Sequence, residues 1–395
     1  MEYEISNRMA KMQGSAIREI FKYLADPEVI SLAGGNPAPE LFPSEELSKI
    51  AEEMLREKPV LSLQYGISEG YTPLRDAIKE RLKRVENIGT PEDELVIMSG
   101  GQQGIELATK TLINEGDTII VEEPSFIGAL NAFRSYNAHL AGVPMDDDGM
   151  NTDALLRVIK ENKNVKMIYT IPTFQNPMGV TMSIEKRHRL YEIAKENGIL
   201  ILEDNPYGDL TFDGTKMPTL KSMDTDGIVL YSGSFSKILA PGLRLGYLCA
   251  NAKLISKIVI AKQVSDVHTA MLPQLLATEY LKRYDIDAAI LKMRENYSHK
   301  CATMLSALEK YFPKDVKFTR PRGGLFIWCD LCRDIDTLAL SKKAIEEKVA
   351  FVPGNTFMVD MSKKCNALRL NYSTVSDERI IEGIKRLGGV LEKYL

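Results

Sequence analysis

Lys237 and Arg244 stand in the stretch Tyr231-Ser-Gly-Ser234-Phe-Ser-Lys237-Ile-Leu-Ala-Pro-Gly-Leu-Arg244-Leu-Gly246, whose remaining side chains are small or apolar. An amine whose charged form is poorly solvated has a lowered pKa, which is what a lysine needs to attack a carbonyl. Arg244 offers a planar fork suited to a phosphate, and Pro241-Gly242 is a turn signal that lets the chain double back between the two. A surface loop with two solvated charges fits the same residue types.

Other segments offer complementary chemistry. Ser99-Gly100-Gly101-Gln102-Gln103-Gly104 follows an apolar run and opens a helix, so its backbone N–H groups and the helix N-terminus suit a phosphate. The stretch is one residue from G-x-G-x-x-G, and Glu122 falls where a dinucleotide fold keeps its ribose-binding acid, which leaves an oxidoreductase open. Ile199-Leu-Ile-Leu-Glu203-Asp204 ends a buried strand with carboxylates, and a buried carboxylate needs a cationic partner such as a protonated ring nitrogen. Asn176, in Tyr169-Thr-Ile-Pro-Thr-Phe-Gln175-Asn176-Pro177-Met-Gly179, sits at a turn start, where it can present its amide or satisfy the turn itself. Phe126, after Glu122-Glu123-Pro124-Ser125, offers a ring for stacking or for the core. Gly35, in the turn Ala33-Gly34-Gly35-Asn36-Pro37, permits close backbone approach. By residue type alone, Tyr65 suits a core tyrosine and Arg369 a solvated strand residue.

Short apolar strands have to carry these residues. Leu95–Met98, Thr118–Val121, Leu140–Val143, Met167–Thr170, Ile199–Leu202 and Ile228–Tyr231 alternate with helical patterns, which indicates an α/β fold with a mainly parallel sheet covered on both faces. Ligands in such sheets lie beyond the carboxyl ends of the strands, where the candidates fall. Ile5 to Tyr23, including Arg18, reads as an arm helix stopped at Asp26-Pro27. Ser44 to Arg56 reads as a helix capped by Ser44, and Lys282 to Leu308 as one long charged helix. Strands and helices after it suggest a smaller α+β domain. The division expected is 1–45 for the arm and part of the small domain, 46–285 for the large domain and 286–395 for the small one.

The 395 residues are 44% apolar and 26% charged, enough for a large core and two domains. A net charge of −4 recommends no nucleic-acid partner. The N-terminus shows no basic leader with an apolar stretch, and no run approaches a membrane span, so the cytoplasm is the expected compartment. Five cysteines give no disulfide framework. Neither Cys329-Asp-Leu-Cys332 nor the scattered His139, His188, His268 and His299 suggests a metal site.

Tyr65-x4-Gly70-x-x-x-Leu-Arg75, Pro-x-x-Gln-Asn-Pro-x-Gly, Asp204-x-x-Tyr207 and Ser-x-Ser-Lys followed by x6-Arg-x-Gly resemble, in order, the motifs of class I and II pyridoxal-phosphate aminotransferases of fold type I. The resemblance runs from Gly34-Gly35 to Arg369. The opening Ser15-Ala-Ile-Arg18-Glu-Ile and the Leu-Ala-Gly-Gly-Asn-Pro turn look most like the 2-aminoadipate and kynurenine aminotransferase branch. It implies a seven-stranded, mainly parallel sheet and a Schiff base between pyridoxal 5′-phosphate and Lys237. It also implies a phosphate cup of Gly101, Gln102, Ser234 and Arg244, ring stacking by Phe126, and Asp204 on the ring nitrogen. Asn176 and Tyr207 would hold the phenolate oxygen, and Arg369 the substrate α-carboxylate near Gly35. Tyr65 would reach a neighbouring subunit's phosphate, which requires a homodimer. Arg18 would meet the second carboxylate of acidic substrates. The implied activity moves an amino group between an L-amino acid of 2-aminoadipate, aromatic or branched-chain type and a 2-oxo acid such as 2-oxoglutarate. A lyase or decarboxylase of the same fold, or a regulatory domain that binds the cofactor without catalysis, is similar in these motifs.

Overall fold

The computed structural model describes residues 3–10, 12 and 26–394. Of the described part of the expected arm helix only Asn7–Ala10 is helical; Arg18 lies outside the described residues. The strand β1 (Ile30–Ser31) pairs in parallel with β12 (Val349–Ala350), so the start of the described chain is tied to a distant segment.

One large sheet contains β2 (Asp93–Met98), β3 (Thr118–Glu123), β4 (His139–Asp146), β5 (Gly149–Met150), β6 (Val165–Thr170), β7 (Leu200–Asp204), β8 (Val229–Ser234) and β9 (Gly246–Asn251). Its order is β2-β9-β8-β7-β6-β3-β4-β5. The pairs β4–β3, β3–β6, β6–β7 and β7–β8 are parallel, whereas β9 runs antiparallel to both β8 and β2. Seven of these are full-length strands, and two-residue β5 folds back on the β4 edge. Strand interiors such as Leu95–Met98 and Ile119–Val121 are wholly buried, as a parallel sheet with helices on both faces demands. Because β3, β6, β7 and β8 run the same way, Glu122, Thr170, Asp204 and Ser232 lie toward one edge of the sheet.

Two helix expectations change. The helix Ser44–Glu57 starts after Pro43 and receives no side-chain cap; Ser44 is its first residue. The expected helix from Lys282 to Leu308 is Ile286–Tyr311, and Lys282 and Arg283 instead end a preceding helix, Met271–Arg283. Asp285 makes the break, since its carboxylate accepts from the backbone N–H groups of Asp287 and Ala288 and so starts a new helix.

A second, antiparallel sheet has the order β10 (Lys317–Phe318), β11 (Phe326–Asp330), β14 (Ala367–Asn371) and β13 (Val352–Pro353). Leu32 joins the two ends of the chain, its N–H donating to Ala350 O and its carbonyl accepting from Asn371 N, each at 2.8 Å. This brings Ala33–Gly35 alongside β14 and its Arg369. No helix of the described residues is long and apolar enough to cross a membrane.

Candidate active site

Gly100 opens the site at the end of β2. It has φ +85°, and a Cβ there would collide with the Arg244 guanidinium, so only glycine lets this turn pass beneath that side chain. The helix Gly101–Leu112 follows at once, with its first N–H groups unsatisfied within the helix. A methyl placed on Gly101 would lie 3.6 Å from Ser232 Oγ and 3.9 Å from Ser234 Cβ, so the turn adjoins the end of β8. Arg244 itself has φ +50°, a left-handed conformation that costs a non-glycine residue about 1 kcal/mol. That conformation turns its guanidinium back toward Ser99 O, 3.4 Å away. The Ser234 hydroxyl accepts from Ser236 N at 3.1 Å. Gln102 is exposed and donates to Gly128 O at 2.8 Å. The Phe126 ring packs against Gly128 beside it, part-buried at the start of the helix Ile127–Ser135.

Asp204 ends β7, level with Ser232 on β8. Its buried carboxylate accepts from Tyr169 Oη at 2.9 Å, and no cation lies within ion-pair range among the described residues. Burial pushes its pKa up to about 6, with the Tyr169 hydroxyl acting in the opposite sense. Glu203, the alternative, points to the other face of the strand and is engaged by Leu220 N (2.9 Å) and Lys221 N (2.8 Å).

Lys237 donates to Gly35 O at 2.6 Å. Desolvation lowers its pKa to about 8, helped by repulsion from Arg369 and then Arg244. Arg369 is buried on β14, where Nη1 donates to Asn176 Oδ1 and Nη2 to Ala33 O, both at 2.8 Å. Phe326 and Phe357 flank its guanidinium at 4.2 and 4.9 Å. Its Nε has no partner, and no carboxylate within the described residues pairs with it. Desolvation lowers its pKa to about 10. Asn176 Nδ2 reaches Tyr207 Oη at 3.4 Å, and burial raises the Tyr207 pKa.

Gly35, Asn176, Tyr207, Lys237 and Arg369 thus form one group, with Asp204, Ser232, Ser234, Gly101 and Arg244 beside it. Tyr65 does not join it within this chain: it is 82% exposed and meets only the edge of His268. Sequence reasoning passed over Tyr169 and Ser232, although a tyrosine in an apolar strand signals a hydroxyl needing a buried partner. It left open a ribose-binding role for Glu122. That buried carboxylate accepts from Thr170 Oγ1 (2.5 Å), Ile171 N and Gln175 Nε2 (3.0 Å). It therefore anchors the turn that presents Asn176, and its place is not a ribose pocket. Burial raises its pKa to about 7.

A separate cavity of about 830 Å³ is lined by Phe174, Met178, Trp328, Lys216 and Arg322. Its cations Lys216, Arg320 and Arg322 are matched to Glu86, Glu309 and Asp213, and Lys317 is exposed, so it has no counterpart to buried Arg369. No cluster of His, Cys, Asp and Glu able to hold a metal occurs among the described residues.

A desolvated lysine amine, an acid-free buried arginine and a glycine turn at a helix N-terminus, all at one end of a mainly parallel sheet, define a fold type I pyridoxal-phosphate enzyme. The family model for aminotransferase class I and II matches residues 27–387, and the chain belongs to that family. The aromatic-amino-acid aminotransferase 1 of Thermococcus litoralis is 42% identical, over 100% of this chain and 96% of its own. A kynurenine aminotransferase structure from Pyrococcus horikoshii superposes with a TM-score of 0.95 at 38% identity, covering 99% of this chain and 97% of that one. The α-aminoadipate aminotransferase of Thermus thermophilus, complexed with N-(5′-phosphopyridoxyl)-L-leucine, has a TM-score of 0.91 at 39% identity, covering 98% and 97%. The chain is a pyridoxal 5′-phosphate-dependent aminotransferase that moves amino groups between an amino acid and a 2-oxo acid.

The residues present fit this cofactor. Asp204 is buried without a cation, Arg369 Nε lacks a partner, and the Gly100 turn is open only because no Cβ fills it.

Proposed function

We propose that the amino donors are aromatic amino acids, 2-aminoadipate and branched-chain amino acids, with 2-oxoglutarate as the acceptor. The observation that carries this reading is Arg369, a buried guanidinium without an acid, beside the Lys237 amine. Every amino acid and 2-oxo acid brings an α-carboxylate to pair with it. The substrates named for the relatives, aromatic amino acids, kynurenine and α-aminoadipate, support a broad side-chain range.

When bound, pyridoxal 5′-phosphate supplies an aldehyde that condenses with amines and a ring that accepts electrons. Gly101, Gln102, Ser234 and Arg244 would hold its phosphate, Phe126 would stack on the ring, and Asp204 would keep the ring nitrogen protonated. Asn176 and Tyr207 would donate to the phenolate oxygen. Lys237 would hold the cofactor at its aldehyde carbon and, with its amine free, would take the proton from the substrate α-carbon as general base and deliver it to that former aldehyde carbon as general acid. Arg369 and Gly35 orient the substrate so that this proton faces Lys237. Arg18 meets a second carboxylate where the substrate has one.

We also propose a cytoplasmic homodimer, with Tyr65 acting at the neighbouring subunit's phosphate. Val60, Leu63, Tyr65 and Ile67 expose apolar side chains, as do Val264 and Val267 nearby, and such a patch marks an association surface. The division into 46–285 and 286–395 remains our reading of the two sheets as separate domains. A panel of amino acids assayed with 2-oxoglutarate should form glutamate with the aromatic, branched-chain and 2-aminoadipate donors. No glutamate from any of them would refute the substrate assignment.

A further inference from the structure

An ion pair between a buried lysine and a part-buried aspartate lies beside the Gly100–Gln102 turn and takes no part in the chemistry above. Lys262 is fully buried, and its Nζ donates to Asp266 Oδ1 at 2.9 Å, Gln103 Oε1 at 2.8 Å and Thr269 Oγ1 at 3.0 Å. Asp266 Oδ2 accepts from Gln103 Nε2 at 2.6 Å and from Ser99 Oγ at 2.9 Å. Gln103 Oε1 completes the ring by accepting from the Ser99 backbone N–H at 2.8 Å. The residues on either side of Gly100–Gln102 are therefore both fastened to a single ion pair.

Taking a lysine out of water costs several kcal/mol even when it is paired, and an apolar residue would fill the same space without that cost. What the pair adds is directional restraint. Two successive glycines are the most conformationally free residues available, and ordering them on binding would subtract from the affinity for a ligand held by their N–H groups. A clamp at Ser99 and another at Gln103 remove that freedom beforehand.

We propose that Gln103, Asp266 and Lys262 are positioning residues that fix the Gly100–Gln102 backbone for the cofactor phosphate. This rests on the assignment of that turn and Arg244 to the phosphate. The test compares binding of pyridoxal 5′-phosphate and of phosphate-free pyridoxal to the apoenzyme, followed by absorbance, in wild type, Gln103→Leu, Ser99→Ala and Arg244→Met. Gln103→Leu should weaken pyridoxal phosphate about tenfold or more, as loss of a supporting hydrogen bond does for other bound groups, and leave pyridoxal unchanged. Ser99→Ala, which removes one hydroxyl contact and is the milder change should Gln103→Leu fail to fold, should shift the same ratio in the same direction. Equal weakening of both ligands, or of neither, overturns the inference. If Arg244→Met lowers the ratio and both network variants do not, only the network falls; if Arg244→Met also leaves it unchanged, the phosphate assignment falls with it.

Discussion

Replacing Arg369 by Met should erase the enzyme's preference for substrates that carry a carboxylate. Two guanidinium N–H groups are committed to Asn176 Oδ1 and Ala33 O, leaving Nε–H and one N–H on each terminal nitrogen for a ligand. A buried charge pair broken on one side costs about 3–5 kcal/mol. At about 1.4 kcal/mol per tenfold, this is a loss of about two to three and a half powers of ten in kcat/KM. Met approximates the volume between Phe326 and Phe357 but leaves Asn176 Oδ1 and Ala33 O without donors, an injury felt by every substrate. The informative quantity is therefore a ratio: the rate at which an amino acid converts the bound cofactor, divided by the rate for the amine lacking its carboxylate, such as phenylalanine against 2-phenylethylamine. Stopped-flow absorbance gives both half-reactions. The ratio should fall by about two to three and a half powers of ten, as worked above, with the amine's own rate much less affected. A ratio equal to wild type would show that Arg369 does not grip the carboxylate.

Asp204→Asn should stabilise the apoenzyme at neutral pH while lowering kcat in the loaded enzyme. The native carboxyl has a folded pKa raised to about 6, so its burial costs nothing below the unfolded value near 4. The cost grows between there and pH 6 and levels off above, at about 3 kcal/mol. Urea denaturation of both apo forms across that window reads the difference, and a constant gap would refute it. Lys237 has its pKa lowered to about 8, so condensation of apoenzyme with pyridoxal phosphate should accelerate up to about pH 8 and then level; continued acceleration toward pH 10 would contradict its desolvation. Lys237→Ala should lose the visible absorbance of the lysine-bound cofactor and slow turnover by several powers of ten. Arg18→Ala should raise KM for 2-oxoglutarate and 2-aminoadipate by about one to two powers of ten and spare leucine; equal effects on both classes would return Arg18 to the surface.

The local pattern by itself determined the strands of the large sheet and the small, polar or charged residues at their ends. Apolar runs of strand length can be buried only between helices, and chemistry then has nowhere to stand but past the last apolar residue, as with Asp204 after Leu202 and Ser234 after Tyr231. The expected edge of the sheet needed only this short-range rule. Strand β9 shows where it stopped: Gly246–Asn251 is apolar enough to read as a strand, but its antiparallel place between β8 and β2 depends on the chain doubling back after Arg244. The break at Asp285 was hidden for the opposite reason, since helical periodicity continues across it and only the cap reveals the restart. Tertiary structure alone decided the surroundings of each charge. By type Arg369 is a solvated strand residue; it becomes an unpaired buried cation because the segment after β1, strand β11 and the turn after β6 bring Ala33, Phe326 and Asn176 around it from distant parts of the chain. Glu122 and Asp204 are both acids at strand ends with raised pKa values, yet one is filled by Thr170, Ile171 and Gln175 and the other is left without a cation. Hydrogen-bond satisfaction is a property of neighbours in space, and no periodicity along the chain encodes it.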